Sequence, residues 1–313
     1  MPAYRHDLPQ LSESVFLTDG GIETSLIYHD GMELPDFAAF ALLTHEVGRD
    51  ALRRYFEPYL AIARDARVGI VLETPTWRAS SDWGGRLGYD SEALADVNAA
   101  AVGQLVELRD VWATASTPVV ISGCVGPRGD GYQPDSLMSP DRAEAYHAEQ
   151  IQAFRTTEAD LVTAITMTHT GEATGFVRAA QAAGLPSVVS FTVETDGRLP
   201  SGEGLADAIA AVDEATDGAP AYYMVNCAHP THVDHTLRRL GRQAGRVRGL
   251  RANASELSHA ELDEAETLDT GDPVDLADRY ADLRRALPAL TVLGGCCGTD
   301  ARHIEAIAKT CVG

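Results

Sequence analysis

Thr291-Val292-Leu293-Gly294-Gly295-Cys296-Cys297-Gly298-Thr299 ends the last of eight strand-like runs in this 313-residue chain, and it carries the chemistry as well. An apolar start reads as a short strand, and two adjacent cysteines framed by glycines follow at once. Neighbouring thiols make poor core material, because one of them must point away from the core. They readily give a soft metal two thiolates, and zinc is the usual taker. A further ligand is offered by Tyr222-Tyr223-Met224-Val225-Asn226-Cys227, another strand-like run that ends in cysteine. The residues thus predict a Zn2+ site held by Cys227, Cys296 and Cys297, with an open fourth position.

Working outward, similar runs recur at Val15–Asp19, Gly69–Thr74, Val119–Gly123, Leu161–Thr166, Ser187–Thr192, Ala221–Asn226, Gly249–Ala252 and Thr291–Gly294. Between them lie stretches rich in Ala, Leu, Glu and Arg at helical spacing, among them Glu46–Ala66, Ser91–Ala115, Pro140–Ala159 and Asp300–Lys309. Strand alternating with helix implies parallel pairing through crossovers. Eight such units predict a single-domain α/β fold, a (β/α)8 TIM barrel, rather than an open doubly wound sheet. No dinucleotide-type Gly-x-Gly-x-x-Gly follows the first strand. In a barrel, chemistry collects where strands end. Cys227 follows the sixth run and Cys296-Cys297 the eighth, so their loops are placed to converge on one ion. The acidic stretch Glu256–Asp272 reads as a solvated loop and helix between the last two strands.

Composition excludes several classes. Hydrophobic residues make up 45% and charged residues 23%, as in a soluble globular protein with ample core. The formal charge of −21 repels phosphate backbones and anionic membrane surfaces, so no nucleic-acid or membrane partner is expected. No run approaches the roughly 18 apolar residues of a membrane span, and the N-terminus lacks a secretory pattern. Five cysteines in so long a chain do not resemble a disulfide scaffold. A reducing, cytoplasmic setting with cysteines free for metal is therefore expected, and a homo-oligomer is compatible with the sequence.

Other metal-ligand types are present. Cys124 also follows a strand and competes as a ligand, while Cys311 near the C-terminus reads as incidental. His169, His229, His232 and His235 could supply nitrogen, but the last three look like surface residues opening a helix. A hydrolytic zinc favours fewer thiolates, whereas three thiolates suit activation of an incoming thiol.

On these motifs the sequence resembles the zinc-dependent homocysteine S-methyltransferase family over nearly its whole length. Asp19-Gly20-Gly21-Ile22-Glu23-Thr24, Glu73-Thr74-Pro75-Thr76-Trp77, Ser122-Gly123-Cys124-Val125-Gly126-Pro127 and Ser190-Phe191-Thr192 resemble its strand-end segments. Val225-Asn226-Cys227 and Gly294–Thr299 match its two zinc motifs. The resemblance implies one barrel domain over residues 1–313, with Zn2+ on Cys227, Cys296 and Cys297. It also implies small-molecule partners, a thiol acceptor and an onium methyl donor, with substrate contacts at Asp19, Gly20, Gly21, Glu23, Thr74, Thr192 and Asn226. Asp19 is the expected contact for the substrate amine. Trp77, Trp83, Tyr222 and Phe191 are aromatic faces near strand ends that an onium donor could use. One departure stands out. Where members carry a glutamate after the fourth strand for the amine of homocysteine, this chain has Ile165, so Glu172, Glu23 or Asp19 must substitute or the acceptor differs. Zinc-assisted hydrolysis or lyase chemistry on the same barrel, and a non-enzymatic thiol or metal sensor, are the alternatives.

Overall fold

All eight expected strands form, and each pairs in parallel with the next until the last meets the first. The computed structural model describes residues 1–132, 137–265 and 267–312. The strands are β1 (Phe16–Leu17), β2 (Gly69–Glu73), β3 (Val119–Val125), β4 (Leu161–Met167), β5 (Ser187–Thr192), β6 (Tyr222–Asn226), β7 (Val247–Ala252) and β8 (Val292–Gly295). They close in the order β1 to β8. Phe16 pairs with Gly69 on one side and Val292 on the other, so the two-residue β1 seals the ring.

The helices are α1 (Ile22–Tyr28), α2 (Glu46–Ala66), α3 (Ser81–Arg86), α4 (Ser91–Trp112), α5 (Pro140–Arg155), α6 (Thr170–Ala183), α7 (Leu205–Thr216), α8 (Pro230–Leu237), α9 (His259–Asp263), α10 (Pro273–Ala286) and α11 (Ala301–Val312). Their starts follow from local chemistry. Asp90, Ser139 and Asp272 accept hydrogen bonds from backbone N–H groups of the first turns of α4, α5 and α10, and Pro140 and Pro273 occupy positions where no N–H is needed. Ser258 and Glu261 form a reciprocal capping box on α9. No helix among the described residues is long and apolar enough to cross a membrane.

Two buried layers result. Residues such as Ile70, Leu72, Ile121, Val162 and Val189 face outward from the barrel onto the helices. Phe16, Val71, Val120, Leu161, Val188, Tyr222, Met224 and Val292 fill the lumen instead. Alternation along each strand separates the two sets, as period-two geometry requires. The lumen is therefore a solid plug, and open space is confined to the rim at the strand C-termini.

Candidate active site

Cys227 follows β6 directly and adopts a left-handed backbone, φ 54°. Non-glycine residues enter that region at a cost of roughly 1 kcal/mol, and the neighbouring segment holds it there. Cys227 donates its backbone N–H to the Arg251 carbonyl, and the Asn253 side-chain amide donates to the Cys227 carbonyl, both at 3.1 Å. The last residue of β7 and the turn after it grip the other cysteines in the same way. Cys296 N–H donates to the Ala252 carbonyl at 2.8 Å, and Ala254 N–H donates to the Cys297 carbonyl at 3.1 Å. β7 lies between β6 and β8, so its end stitches together both cysteine-bearing turns.

The glycines around the pair have separate duties. Gly298 sits at φ +78°, where L side chains are strained. Gly21 packs so closely that a Cβ there would lie 2.6 Å from the Cys296 carbonyl oxygen. The Asp19-Gly20-Gly21 segment thus buttresses the cysteine turn while also lining the cavity.

The ligand atoms of Cys227, Cys296 and Cys297 lie within 4.8 Å of one another. Cys227 and Cys296 meet sulfur to sulfur as a disulfide, which departs from the expectation that every cysteine stays unbonded. The physical reason is the convergence itself, since sulfurs gathered for one small ion are also within reach of each other. Three thiolates so grouped are a fitting donor set for zinc once that bond is reduced. Cys124 lies outside this cluster; it is buried in the lumen plug, where desolvation pushes its thiol well above the ordinary range. Cys311 packs half-buried on α11.

A cavity of about 300 Å³ opens over the cluster. Its polar floor centres on Arg251, which donates to Asp19 Oδ1 at 2.7 Å, to the Gly295 carbonyl at 3.1 Å and to the Gly20 carbonyl at 3.3 Å. Tyr55 donates its hydroxyl to Asp19 Oδ2 at 3.0 Å, so both Asp19 oxygens have protein partners. Glu73 and Glu23 also line the space, and burial raises each carboxyl to about 7. Glu73 Oε2 and Arg251 Nη1 are buried without a hydrogen-bond partner.

Those raised carboxyls fix a pH dependence. Between about 4.5 and 7 the native state holds protons that the unfolded chain has released, so stability falls as pH rises through that window. Thermal denaturation from pH 5 to 8 is expected to show a shallower fall for Glu73→Gln than for the natural chain. Parallel curves would count against this assignment.

The remaining expected site residues divide. Thr74 lines the cavity, and its hydroxyl accepts from Cys124 N–H at 2.9 Å. Asn226 is buried beneath, spanning to β4 through Thr166 and to Ser190 of β5, with Thr166 N–H and the Ser190 hydroxyl donating to its Oδ1. Thr192 is buried outside the cavity wall. Ile165 does line the cavity. Of the carboxylates considered as substitutes for it, Glu172 is engaged elsewhere, accepting from Arg128 N–H and pairing with His147. Asp19 is occupied by Arg251 and Tyr55, which leaves Glu23 as the one facing the cavity with the fewest ties.

Two sequence readings need correction. His229 is not a surface residue; it caps α8 and is buried, and desolvation lowers its ring to about 4. The acidic stretch is not simply solvated, because His259, Leu262, Thr267 and Leu268 from it wall the cavity. Its solvent-facing acids mask that inner face in the sequence. His259 and Arg251 were not anticipated at all. The only available signal was a long βα connection at the C-terminal rim, where such connections build sites.

The chain is a closed parallel barrel with a cysteine cluster beside a cavity at the strand C-termini. A sequence profile of the homocysteine S-methyltransferase family matches residues 16–311, and the chain belongs to that family. Among solved structures, the metallated form of the homocysteine methyltransferase MmuM from Escherichia coli is similar at 19% identity and TM-score 0.75, covering 97% of this chain and 98% of that one. Its oxidized form gives 19% identity and TM-score 0.76, with 96% of each chain covered. A comparison with curated protein sequences finds no match.

Proposed function

We propose that this protein is a zinc-dependent thiol S-methyltransferase, moving a methyl group from a small onium donor to a thiol acceptor, with homocysteine as acceptor and methionine as product. The observation that carries the proposal is the convergence of three cysteine sulfurs within 4.8 Å beside a cavity of about 300 Å³. Cys227, Cys296 and Cys297 would hold Zn2+, which when bound lowers the pKa of an acceptor thiol and keeps it nucleophilic near neutral pH. In the transfer, the acceptor sulfur forms a bond to the methyl carbon. The bond from that carbon to the donor breaks, and its electron pair leaves with the now neutral donor. The proton lost by the acceptor passes to solvent.

The chain's own residues contribute orientation. Backbone groups at the end of β7 and just after it fix the cysteine turns, and Gly20 and Gly21 let the β1 end approach them closely. Glu23, which lines the cavity, would meet the acceptor's ammonium in place of a glutamate at position 165. Apolar walls at Ile165, Leu262 and Leu268 exclude water from the reacting groups. Positioning of two reactants in this way is worth up to roughly 7–11 kcal/mol in favourable systems. S-methylmethionine and S-adenosylmethionine are the foremost donors.

The test is a methyl-transfer screen on protein reduced to open the Cys227–Cys296 bond and loaded with zinc. About one zinc per chain is expected, together with methionine formation from homocysteine and one of these donors. The oxidised protein should take up little metal and turn over slowly. Failure of the reduced protein to bind zinc, or turnover of an ester or amide independent of any thiol, would sink the proposal.

A further inference from the structure

Arg78 follows β2, and its guanidinium carbon lies 4.0 Å from the Trp77 ring centroid and 3.5 Å from that of Trp83. Arg86 lies over Trp83 in turn, at 4.2 Å, so the indole is held in a cationic stack. Stacking on aromatic faces orients a guanidinium and leaves its edge as the direction for hydrogen bonding. That edge is poorly used within the protein. Nη1 donates to the Gly129 carbonyl at 3.3 Å, and Nε is buried with no partner. Arg78 is 7% exposed, makes no ion pair among the described residues, and lines the cavity. Its ionisable neighbours are Asp130, Tyr132 and Glu23, which favour its charged form, and Arg86, which opposes it. Burial lowers its ionisation to about 10, which leaves it cationic at neutral pH.

A largely buried cation that lines a cavity with part of its donor capacity unused calls for an anionic ligand, and a planar fork fits a carboxylate best. The barrel order says which substrate supplies it. In a ring of eight strands β2 stands opposite β6, so Arg78 and Cys227 face each other across the rim. Methyl transfer by displacement requires acceptor sulfur, methyl carbon and leaving atom in line. With the acceptor at the cysteine cluster, the donor must occupy the far side, which is the side of β2.

We propose that Arg78 anchors the carboxylate of the methyl donor, which makes it the residue that separates a carboxylate-bearing donor from a simple trialkylsulfonium. This rests on the methyltransferase reading above. It gives Trp77 a double use, because Trp77 and Trp83 both hold Arg78 while Trp77 also lines the cavity where the donor's onium group would sit.

The test compares the natural chain with Arg78→Met and Arg78→Lys, using S-methylmethionine and trimethylsulfonium as donors and homocysteine as acceptor. Arg78→Met is expected to raise the KM for S-methylmethionine by about 10- to 100-fold, the usual range for losing a charge-assisted pair. The preference for S-methylmethionine over trimethylsulfonium, taken as a ratio of kcat/KM values, should collapse by the same factor. Arg78→Lys should recover part of both. A shift in the KM for homocysteine instead, or an equal loss with both donors, would overturn the assignment. Binding is followed independently by tryptophan fluorescence, since Trp77 and Trp83 touch Arg78 and Trp112 stacks on Arg64 away from the cavity. A saturable change on adding S-methylmethionine that Arg78→Met weakens and Arg78→Lys preserves supports the anchor even if no donor is turned over, in which case the methyltransferase reading fails alone. Equal titrations in all three proteins would remove the anchor whatever the kinetics.

Discussion

Cys297→Ser is expected to remove tightly bound zinc and to lower methyl transfer by at least about 10³-fold, equivalent to roughly 4 kcal/mol of barrier. Serine preserves shape but offers a hydroxyl, which is not deprotonated near neutral pH and is a poor ligand for a soft ion. Cys297 is also the member of the cluster outside the disulfide, so the variant leaves the Cys227–Cys296 contact in place. Metal analysis after dialysis checks the first effect and a methionine assay the second. Circular dichroism should show an intact barrel, because the cysteine turn is held mainly by backbone bonds to residues 252 and 254. Retention of a full complement of zinc with normal turnover would remove Cys297 from the metal shell.

Arg251→Met should be the most destabilising substitution in the cavity, by about 3–5 kcal/mol. The loss comes less from the missing attraction than from Asp19, a carboxylate 2% exposed that would keep only the Tyr55 hydroxyl. The Gly295 carbonyl would lose the Arg251 donor as well, while the Gly20 carbonyl would keep only the Tyr55 hydroxyl of its two side-chain donors. Urea denaturation measures the change. The double variant with Asp19→Asn should recover part of it, since an uncharged amide tolerates burial better than an orphaned carboxylate. A midpoint equal to that of the natural chain would mean that the pair is stabilised by something other than mutual burial.

The barrel was legible because each strand is a short apolar run ended by a polar or glycine turn, and a period of two cannot be mistaken for a helix when such runs recur eight times. Boundaries moved by at most two residues, as at β1, where Val15–Asp19 contracts to Phe16–Leu17. The three cysteines were legible for a different reason. Their residue type is rare, and their position at strand ends gave a meeting point before any coordinates. Arg251 and His259 were opaque because nothing local distinguishes a buried arginine from a surface one; its partner, Asp19, lies 232 residues away. The acidic stretch misled in the same way. Its outward-facing charges dominate composition, while the few inward residues that wall the cavity are too irregularly spaced to form a pattern.

Closure of the ring by β1 and β8 has a consequence for how the molecule is made. Cys227 is supplied by the sixth strand and the other two sulfurs by the eighth, so a chain emerging N-terminus first holds a single relevant thiol until nearly all of it has been synthesised. The cluster cannot exist on a partly folded intermediate that lacks the final strand, because β7 grips both turns only when β8 is seated beside it. Acquisition of an ion by all three cysteines would then report completed assembly, and a chain stalled or clipped before residue 292 would be blind to metal however well its first seven strands had formed.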